Sequence, residues 1–254
     1  MDGSELLTEP GGVSTAQYAS YHFEQFYDYS LKEYARWNRK YSYYYGDLLP
    51  ANRSARILDL GCGGGRFLHF LKSVGYSNLA GVDADAKQLA ALRKTLTCDT
   101  YEAGILDLLH SSSGQYDFIS CHHVIEHLSR DDSNHLLRLA YQALSPGGRL
   151  IVSTPNGARP WMGWHMFADL SHDHLYTSSS LREVMEMAGF RDVMLRPEGP
   201  VPYSVLSALR WLLWKGWREP YLKLCFAIEN GLGPLSGAKL IVSAGIIAAG
   251  VKPR

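Results

Sequence analysis

A glycine-rich segment between an acidic and a basic residue offers the clearest chemistry in this sequence. Residues 57–60 are apolar apart from Asp59, and they lead into four glycines among residues 61–65, after which a helical pattern begins. Glycine tolerates positive φ and lets a ligand approach the backbone closely, and the start of a helix presents N–H groups without intrahelical partners. The segment therefore predicts a site for a cofactor that carries a nucleoside.

The spacing of the glycines distinguishes between two classes of cofactor. A dinucleotide-binding G-x-G-x-x-G/A motif starting at Gly61 would place Arg66 where a small residue is needed. Residues 59–65 instead read D-x-G-x-G-x-G, which resembles motif I of the class I S-adenosylmethionine-dependent methyltransferases. The resemblance implies that the loop holds the methionine portion of S-adenosylmethionine, through Asp59, Gly61, Cys62, Gly63 and Gly65.

Two further acidic residues follow the next two predicted strands. Asp83 ends the second strand with Ala84 beside it, where a carboxylate can accept both ribose hydroxyls. The alternative for Asp83 is a helix N-cap, with Asp85 competing for that position. After the third strand the family contacts adenine, and Asp107, two residues beyond Ile105, is the candidate there. Its alternative is a solvated aspartate in a loop.

The resemblance continues through residues 121–128, which follow the fourth predicted strand. The sequence C-H-H-V-I-E-H-L resembles the strand-then-EHL segment of a small-molecule branch that includes ubiquinone-biosynthesis O-methyltransferases and many sugar and natural-product enzymes. Residues 144–150 match the L-x-P-G-G-x-L entry to strand five of that branch. The resemblance covers residues 56 to about 196, and it implies that Cys121 and His122 contact the cofactor.

Histidines near the methyl end of this site are candidates for a general base. Transfer to a hydroxyl requires in-line alignment and removal of a proton, and histidine titrates near neutral pH. His127 lies a few residues after the fourth strand, while His165, His172 and His174 lie in the predicted loop 156–177. We predict His127, His172 and His174 as catalytic candidates, and each has a satisfied structural histidine as its alternative.

Two other motifs would give this region a different chemistry. Residues 123–127 satisfy H-x-x-E-H, a zinc-protease string that requires a continuous helix. A strand is predicted to end at Cys121 just before it, so we expect no metal. The N/D-P-P-Y/F motif of enzymes that methylate planar amino groups is replaced here by Cys121-His122-His123-Val124.

Alternating strand and helix patterns must position these residues. They predict an α/β fold, a Rossmann-like doubly wound sheet of seven mainly parallel strands with helices on both faces. The predicted strands are 56–59, 79–83, 100–103, 116–121, 148–154, 191–197 and one within 240–252. The predicted helices are 66–74, 86–95, 130–144 and 178–188.

Segments on either side of this core divide the chain into four predicted parts. They are an N-terminal aromatic helical cap (1–50), the methyltransferase core (51–200), a Trp-rich helical insertion (201–235), and a final strand with its tail (236–254). In the cap, Tyr34, Trp37, Tyr41 and Tyr45 share helical spacing. This predicts a helix that packs on the core or acts as a lid over a ligand.

The insertion combines apolar and basic residues. Leu206, Leu209, Leu213 and Trp217 have the spacing of one helical face, and four cations surround a cluster of tryptophans. Such a helix can cover substrate, or it can lie on a membrane surface through residues 203–223. Both alternatives remain open on the sequence.

Charge and cysteine content set outer limits on function. The 254 residues contain 25 Lys+Arg and 25 Asp+Glu, which argues against a nucleic-acid-binding protein, although residues 201–254 carry seven basic and only two acidic residues. Four scattered cysteines and the lack of a recognisable signal sequence predict a cytoplasmic protein, associated with the inner face of a membrane if the insertion binds lipid.

Together these patterns predict an S-adenosylmethionine-dependent O-methyltransferase. Its acceptor is expected to be a hydroxyl on a small, glycosidic or lipid-linked molecule, and the protein is expected to be a monomer or homodimer. The alternatives are transfer to nitrogen or a carboxylate, and a regulatory subunit that binds the cofactor without turnover.

Overall fold

The computed structural model describes residues 30–231 and 240–254, and its centre is a seven-stranded sheet. The strand order is β3-β2-β1-β4-β5-β7-β6, in which β7 is antiparallel to both neighbours and the other adjacent pairs are parallel. The strands are β1 (Ile57–Leu60), β2 (Leu79–Asp83), β3 (Asp99–Glu102), β4 (Tyr116–His122), β5 (Leu144–Pro155), β6 (Arg191–Glu198) and β7 (Gly245–Val251). The predicted fold class is confirmed.

Helices cover both faces of the sheet. They are α1 (Leu31–Tyr45), α2 (Arg66–Ser73), α3 (Ala86–Thr95), α4 (Ile105–His110), α5 (Arg130–Ala143), α6 (Met162–Phe167), α7 (Ser178–Met187), α8 (Val205–Leu213) and α9 (Glu219–Asn230). Helix α6 lies within the predicted loop 156–177, and α4 lies in a segment for which no helix was predicted. Each has only six residues, which is too short for a periodic apolar pattern to stand out.

Alternating side chains of the central strands fill two separate cores. In β1, Leu58 and Leu60 pack into a cluster with α5 and α7, whereas Ile57 packs on the opposite face with α1, α2 and α3. All four β1 residues are buried, as expected for a parallel strand covered on both faces. Strand β1 therefore contributes to the hydrophobic cores on both faces of the sheet.

The strand order reverses around β1, and this positions the predicted site. Strands β2 and β4 flank β1 on opposite sides, so the chain leaves β1 at a topological switch point. Ligands of open α/β sheets bind outside the carboxyl ends of strands at such a point. The loop after β1, Asp83 at the end of β2 and His122 at the end of β4 all lie at this edge.

The aromatic N-terminal helix packs on the glycine loop and α2. Helix α1 begins at Leu31, with the Ser30 side chain accepting the Glu33 N–H as its N-cap. Tyr34 and Tyr45 are buried, and the Tyr34 hydroxyl donates a 2.7 Å hydrogen bond to the Gly64 carbonyl. The part of the predicted cap that precedes residue 30 lies outside the described residues.

The insertion is helical and precedes the last strand. Helix α8 begins with a capping box formed by Ser204 and Ser207, and a π-helical turn (Trp214–Arg218) joins it to α9. Within the described ranges, no helix is both long and apolar enough to span a bilayer. The four domain boundaries remain predictions, and residues 232–239 at the end of the insertion lie outside the description.

Candidate active site

Glycines 61, 63 and 65 each adopt a positive φ, of 63°, 51° and 80°. A Cβ at Gly65 would lie 2.2 Å from Leu92 Cδ1, and one at Gly61 would lie 2.4 Å from Val124 Cγ2. A Cβ at Gly63 would meet only one side-chain atom at an ordinary contact distance. The outer glycines are thus required for close packing, and Gly63 leaves the backbone accessible to a ligand.

Asp83 fixes the loop from the neighbouring strand. Its carboxylate accepts the Gly63 N–H at 2.8 Å and the Asp85 N–H at 2.9 Å, and burial raises its pKa. Asp85 is the N-cap of α3, since its side chain accepts the Lys87 N–H at 2.8 Å. The N-cap alternative for Asp83 is therefore wrong, and its carboxylate lies beside the loop with Ala84 next to it.

Asp59 is the deepest acid of the site. It is 3% exposed, and its Oδ1 accepts a 2.7 Å hydrogen bond from the Ser120 hydroxyl. Burial raises its pKa to about 7, the nearby Asp83 charge acts in the same direction, and the Ser120 hydrogen bond only partly offsets both effects. A bound cation near this carboxylate would favour its ionised form.

Cys121 and His122 end β4 beside the loop. Cys121 is fully buried, and burial raises the pKa of its thiol. The His122 ring packs 4.3 Å from the Phe67 ring, and its Nδ1 lies 3.1 Å from the Ser153 hydroxyl and 3.3 Å from that of Tyr45. Burial lowers its pKa to about 3, so the ring is neutral at pH 7. Its buried Nε2 makes no hydrogen bond to the described residues.

Asp107 lies in a helix. It occupies the exposed first turn of α4, and its Oδ2 lies 2.7 Å from the position that a Cβ on Gly104 would take. A negative charge in the first turn is favourable for the helix itself. Asp107 is therefore exposed to solvent, as its alternative predicts, but on a helix rather than in a loop, and its contact with adenine remains a prediction.

His123 was not among the predicted candidates, yet it lies close to two carboxylates. It has an unusual φ of 53°, and its side chain is 47% exposed. Its Nδ1 lies 3.2 Å from Glu126 Oε1 and its Nε2 lies 3.5 Å from Glu198 Oε2. Burial opposes protonation, but the Glu198 and Glu126 carboxylates outweigh it and raise the pKa of His123 well above its usual value.

A cavity of about 740 Å³ opens beside His123. One side of the cavity is the sheet edge at Pro155, Glu198 and Gly245, and the opposite side is the insertion. The insertion contributes Leu206, Leu209, Arg210, Leu213, Trp214, Trp217 and Arg218. An acceptor of drug-like size would fit in this cavity, and both predicted roles of the insertion, as a substrate cover and as a membrane contact, remain predictions.

Comparison with known proteins agrees with this geometry. Residues 31–195 match the model of a family described as "Methyltransferase domain". The chain belongs to this methyltransferase family. The match spans the glycine loop, Asp83 and the end of β4, so the predicted membership of a methyltransferase family is confirmed.

Individual relatives resemble parts of this methyltransferase. It is 30% identical over 148 residues to an uncharacterised protein of Rickettsia prowazekii, covering 52% of this chain and 59% of that one. It is 30% identical over 106 residues to a ubiquinone biosynthesis O-methyltransferase of Xanthomonas oryzae pv. oryzae, covering 40% of this chain and 44% of that one. The chain thus spans about half the length of these curated relatives.

Solved structures share the fold at low identity. An S-adenosylmethionine-dependent methyltransferase from Archaeoglobus fulgidus has a TM-score of 0.62 at 20% identity and covers 92% of this chain and 99% of its own. A phosphoethanolamine N-methyltransferase 2 from Haemonchus contortus, in complex with S-adenosylhomocysteine, has a TM-score of 0.62 at 17% identity, covering 96% and 61%. These similarities show the fold alone.

The donor set of the methyltransferase fits S-adenosylmethionine. Asp83 has a carboxylate suited to two ribose hydroxyls, and the acids Asp59 and Asp83 are complementary to a ligand that carries a sulfonium and an ammonium. Gly63 leaves room against the backbone, and His122 Nε2 is a buried ring nitrogen without a protein partner among the described residues. The individual contacts of the ten predicted cofactor residues remain predictions.

Two of the three predicted catalytic histidines, His127 and His172, lie together beside Glu126. The His127 and His172 rings are 4.7 Å apart, and His127 Nδ1 lies 2.9 Å from the Ser171 hydroxyl. Burial lowers the pKa of His127. His174 is buried, with its Nδ1 3.3 Å from Asp173 Oδ2. The fourth histidine of the predicted loop, at position 165, has a side chain outside the description.

Glu126, His127 and His172 also form a group suited to a metal ion. One ligand atom from each lies within 4.8 Å of the others. His123, the first residue of the H-x-x-E-H string, precedes the 3-10 helix (Ile125–His127) and does not share a helix with His127. The string therefore lacks the zinc-protease geometry, and the expectation that no metal binds remains a prediction.

Proposed function

We propose that this protein transfers the methyl group of S-adenosylmethionine to a hydroxyl of a small, glycosidic or lipid-linked acceptor held in the cavity beside His123. The observation that carries the proposal is the position of that cavity. It reaches His123, the residue directly after His122, which itself adjoins the glycine loop through Phe67. An acceptor in the cavity would therefore adjoin the methyl end of the cofactor.

The chain's own contribution to such a reaction is alignment and proton removal. When bound, S-adenosylmethionine supplies an electrophilic methyl on a sulfonium, so no further activation of the methyl is needed. Leu209, Leu213 and Trp217 offer an apolar wall that can hold an acceptor and exclude water. A base within reach of the hydroxyl then has to take up its proton as the new C–O bond forms.

The histidine bases differ in their expected pH dependence. Among the described residues, His123 is the histidine in the cavity wall, and its pKa is raised by Glu198 and Glu126. If His123 is the base, kcat/KM rises with pH through a value above 6.5. If His127 is the base, kcat/KM rises with pH through a value below 6.5, because burial lowers the pKa of His127. His172 and His174 remain candidates.

The proposal is tested by following labelled methyl groups. Protein incubated with methyl-tritiated S-adenosylmethionine and a cell extract should label a product whose methyl resists mild alkali, as a methyl ether does. Release of volatile label by alkali would identify a carboxyl ester, and an alkali-stable label carried on a basic nitrogen, retained by cation exchange at acid pH, would identify N-methylation. Cofactor binding with no labelled product from any extract would support the regulatory alternative and contradict the proposed reaction.

Base assignment uses the same assay once a product is found. His123→Gln, His127→Gln, His172→Gln and His174→Gln are compared at several pH values, with S-adenosylmethionine affinity as the control for folding. Loss of a true base should lower kcat by about 100-fold or more. If all four variants keep full activity, a histidine base is wrong. The monomer or homodimer state and the cytoplasmic location are carried forward as predictions.

A further inference from the structure

The insertion carries an apolar face that the rest of the described chain leaves uncovered. Val205 is 87% exposed, Leu206 80%, Trp217 68% and Ile228 75%. The other members, each more than half exposed, are Leu209, Leu212, Leu213, Tyr221 and Leu224. Single exposed apolar residues are ordinary, but nine along one pair of helices form a contiguous surface that marks an interaction site.

The π-helical turn keeps this face continuous between α8 and α9. Leu209 and Ile228 are 19 residues apart, whereas five turns of an α-helix take about 18 residues. A π-turn accommodates one extra residue. The turn at Trp214–Arg218 therefore brings the exposed side chains of α9 back into line with those of α8. The result is one apolar stripe that extends over both helices.

A basic cluster adjoins the start of the stripe. It consists of Arg36, Arg39, Lys40 and Arg210, which surround Tyr203 just before α8. The Arg39 guanidinium lies 5.5 Å from the Tyr203 ring centre. A hydrogen bond from Arg36 lowers the pKa of Tyr203, and the charges of Lys40 and Arg210 act in the same direction.

Charge in and around the stripe favours an anionic partner. On the same two helices and the turn between them, Lys215 and Lys223 both bind Glu219, at 2.8 and 2.7 Å, and are thus partly neutralised. The basic cluster has Glu33 as the acid that pairs with Arg36, at 3.4 Å. An apolar stripe with cations at one end is the combination that amphipathic helices use on anionic lipid surfaces.

The stripe is also continuous with the candidate active site. Leu206, Leu209, Leu213 and Trp217 belong both to the exposed stripe and to the wall of the cavity beside His123. An amphiphile lying along these residues would have its polar end near His123 and Glu198 and its apolar end at the protein surface. A water-soluble acceptor would leave this part of the cavity wall without an apolar partner.

We propose that the apolar stripe and the basic cluster dock the protein on an anionic lipid bilayer, and that the acceptor is an amphiphile drawn from that bilayer into the cavity. The docking half is independent of the reaction, whereas the acceptor half rests on the proposed function. A second copy of this chain is the competing occupant of the stripe. The cations favour lipid, because the same cluster on two facing copies would repel itself.

Vesicle co-sedimentation tests the docking half. The protein should bind vesicles of phosphatidylglycerol mixed with phosphatidylcholine more tightly than vesicles of phosphatidylcholine alone, and salt should weaken the binding. Val205→Asp/Ile228→Asp, two residues outside the cavity wall, should weaken it by about tenfold or more, because apolar area is lost and negative charge is added. Met187→Asp is the matched control, since Met187 on α7 is 85% exposed.

The electrostatic contribution has its own pair of variants. Arg39→Gln should weaken binding to the mixed vesicles by about fivefold, the effect of one basic residue near an anionic surface. Lys94→Gln, an exposed cation at the end of α3, should leave it unchanged. S-adenosylmethionine affinity, measured by calorimetry on every variant, verifies that each variant is folded.

The outcomes separate this inference from the proposed function. No binding of the wild-type protein to anionic vesicles, or equal losses in Met187→Asp and the double variant, would overturn the docking. The docking would also be overturned if sedimentation velocity showed a dimer that Val205→Asp dissociates and that persists in the presence of vesicles. Tritium from labelled S-adenosylmethionine should enter a cell lipid extract, and label confined to the water-soluble extract would overturn the amphiphilic acceptor while leaving methyl transfer intact.

Discussion

Replacing Asp59 with asparagine isolates the titration of one buried carboxyl group. Asp59 is 3% exposed and accepts the Ser120 hydroxyl at 2.7 Å, and burial raises its pKa to about 7. Asparagine has almost the same shape, can accept the same hydrogen bond through its amide oxygen, and does not titrate. The pH dependence of the difference between the two proteins therefore reports Asp59.

The sign and size of the effect follow from the raised pKa. Above about pH 4 the unfolded chain has released the Asp59 proton, whereas the folded protein retains it until about pH 7. In this window the unfolding free energy of the wild type falls by about 1.4 kcal/mol per pH unit through this group. We expect the wild type to lose about 2 kcal/mol relative to Asp59→Asn between about pH 5 and pH 7, since the folded group is half ionised at pH 7, and nothing further above about pH 8.

Urea denaturation without cofactor, followed by tryptophan fluorescence and far-UV circular dichroism, measures this difference. Both proteins should show equal m-values, so that midpoint shifts report stability. Other titrating groups cancel in the comparison, except for the part of the Asp83 titration that depends on the Asp59 charge. A stability difference that is constant from pH 5 to pH 8 would mean that Asp59 is ionised throughout, and a wild type that gains stability with pH would reverse the reasoning.

Two further variants test the loop and its cover. Gly65→Ala should destabilise the protein by about 1–3 kcal/mol more than Gly75→Ala. Both residues have positive φ, but only a Cβ at Gly65 would meet Leu92, at 2.2 Å. Equal urea midpoints of the two variants would contradict this expectation. Tyr34→Phe should cost about 1 kcal/mol by removing the 2.7 Å hydrogen bond to Gly64, and an unchanged midpoint would show that α1 does not hold the loop.

The sheet and the glycine loop were predictable because their determinants are local. The strand-loop-helix pattern around Asp59 and the alternation of strands with helices appear in short windows of sequence. The helix Ala86–Thr95 was predicted with its observed bounds, since Asp85 caps its start and Leu96 ends it. Helices α4 and α6 were not predicted, because six residues contain too few apolar positions for a helical period to be recognised.

The contact between His123 and Glu198 was not predictable because the two residues are distant in sequence, whereas Glu126 is only three residues from His123. Glu198 comes from the end of β6, three positions from β4 in the sheet, and only the folded order of strands brings it within 3.5 Å of His123. The cavity has the same origin, since its wall combines the sheet edge with an insertion that is distant from His123 in the sequence. The sequence motif predicted the cofactor end, and tertiary structure was needed for the acceptor end.

Calorimetric titration with S-adenosylmethionine tests the central claim most directly, with Asp83→Asn and Asp85→Asn as a matched pair. Both variants remove one carboxylate, but Asp83 faces Gly63 of the loop while Asp85 caps α3. The wild type should bind both S-adenosylmethionine and S-adenosylhomocysteine. Asp83→Asn should bind them at least about tenfold more weakly, because a charge-assisted contact is lost. Asp85→Asn should bind them almost as tightly as the wild type does. Undetectable binding of either compound to folded wild-type protein, or equal affinity in Asp83→Asn, would contradict the account.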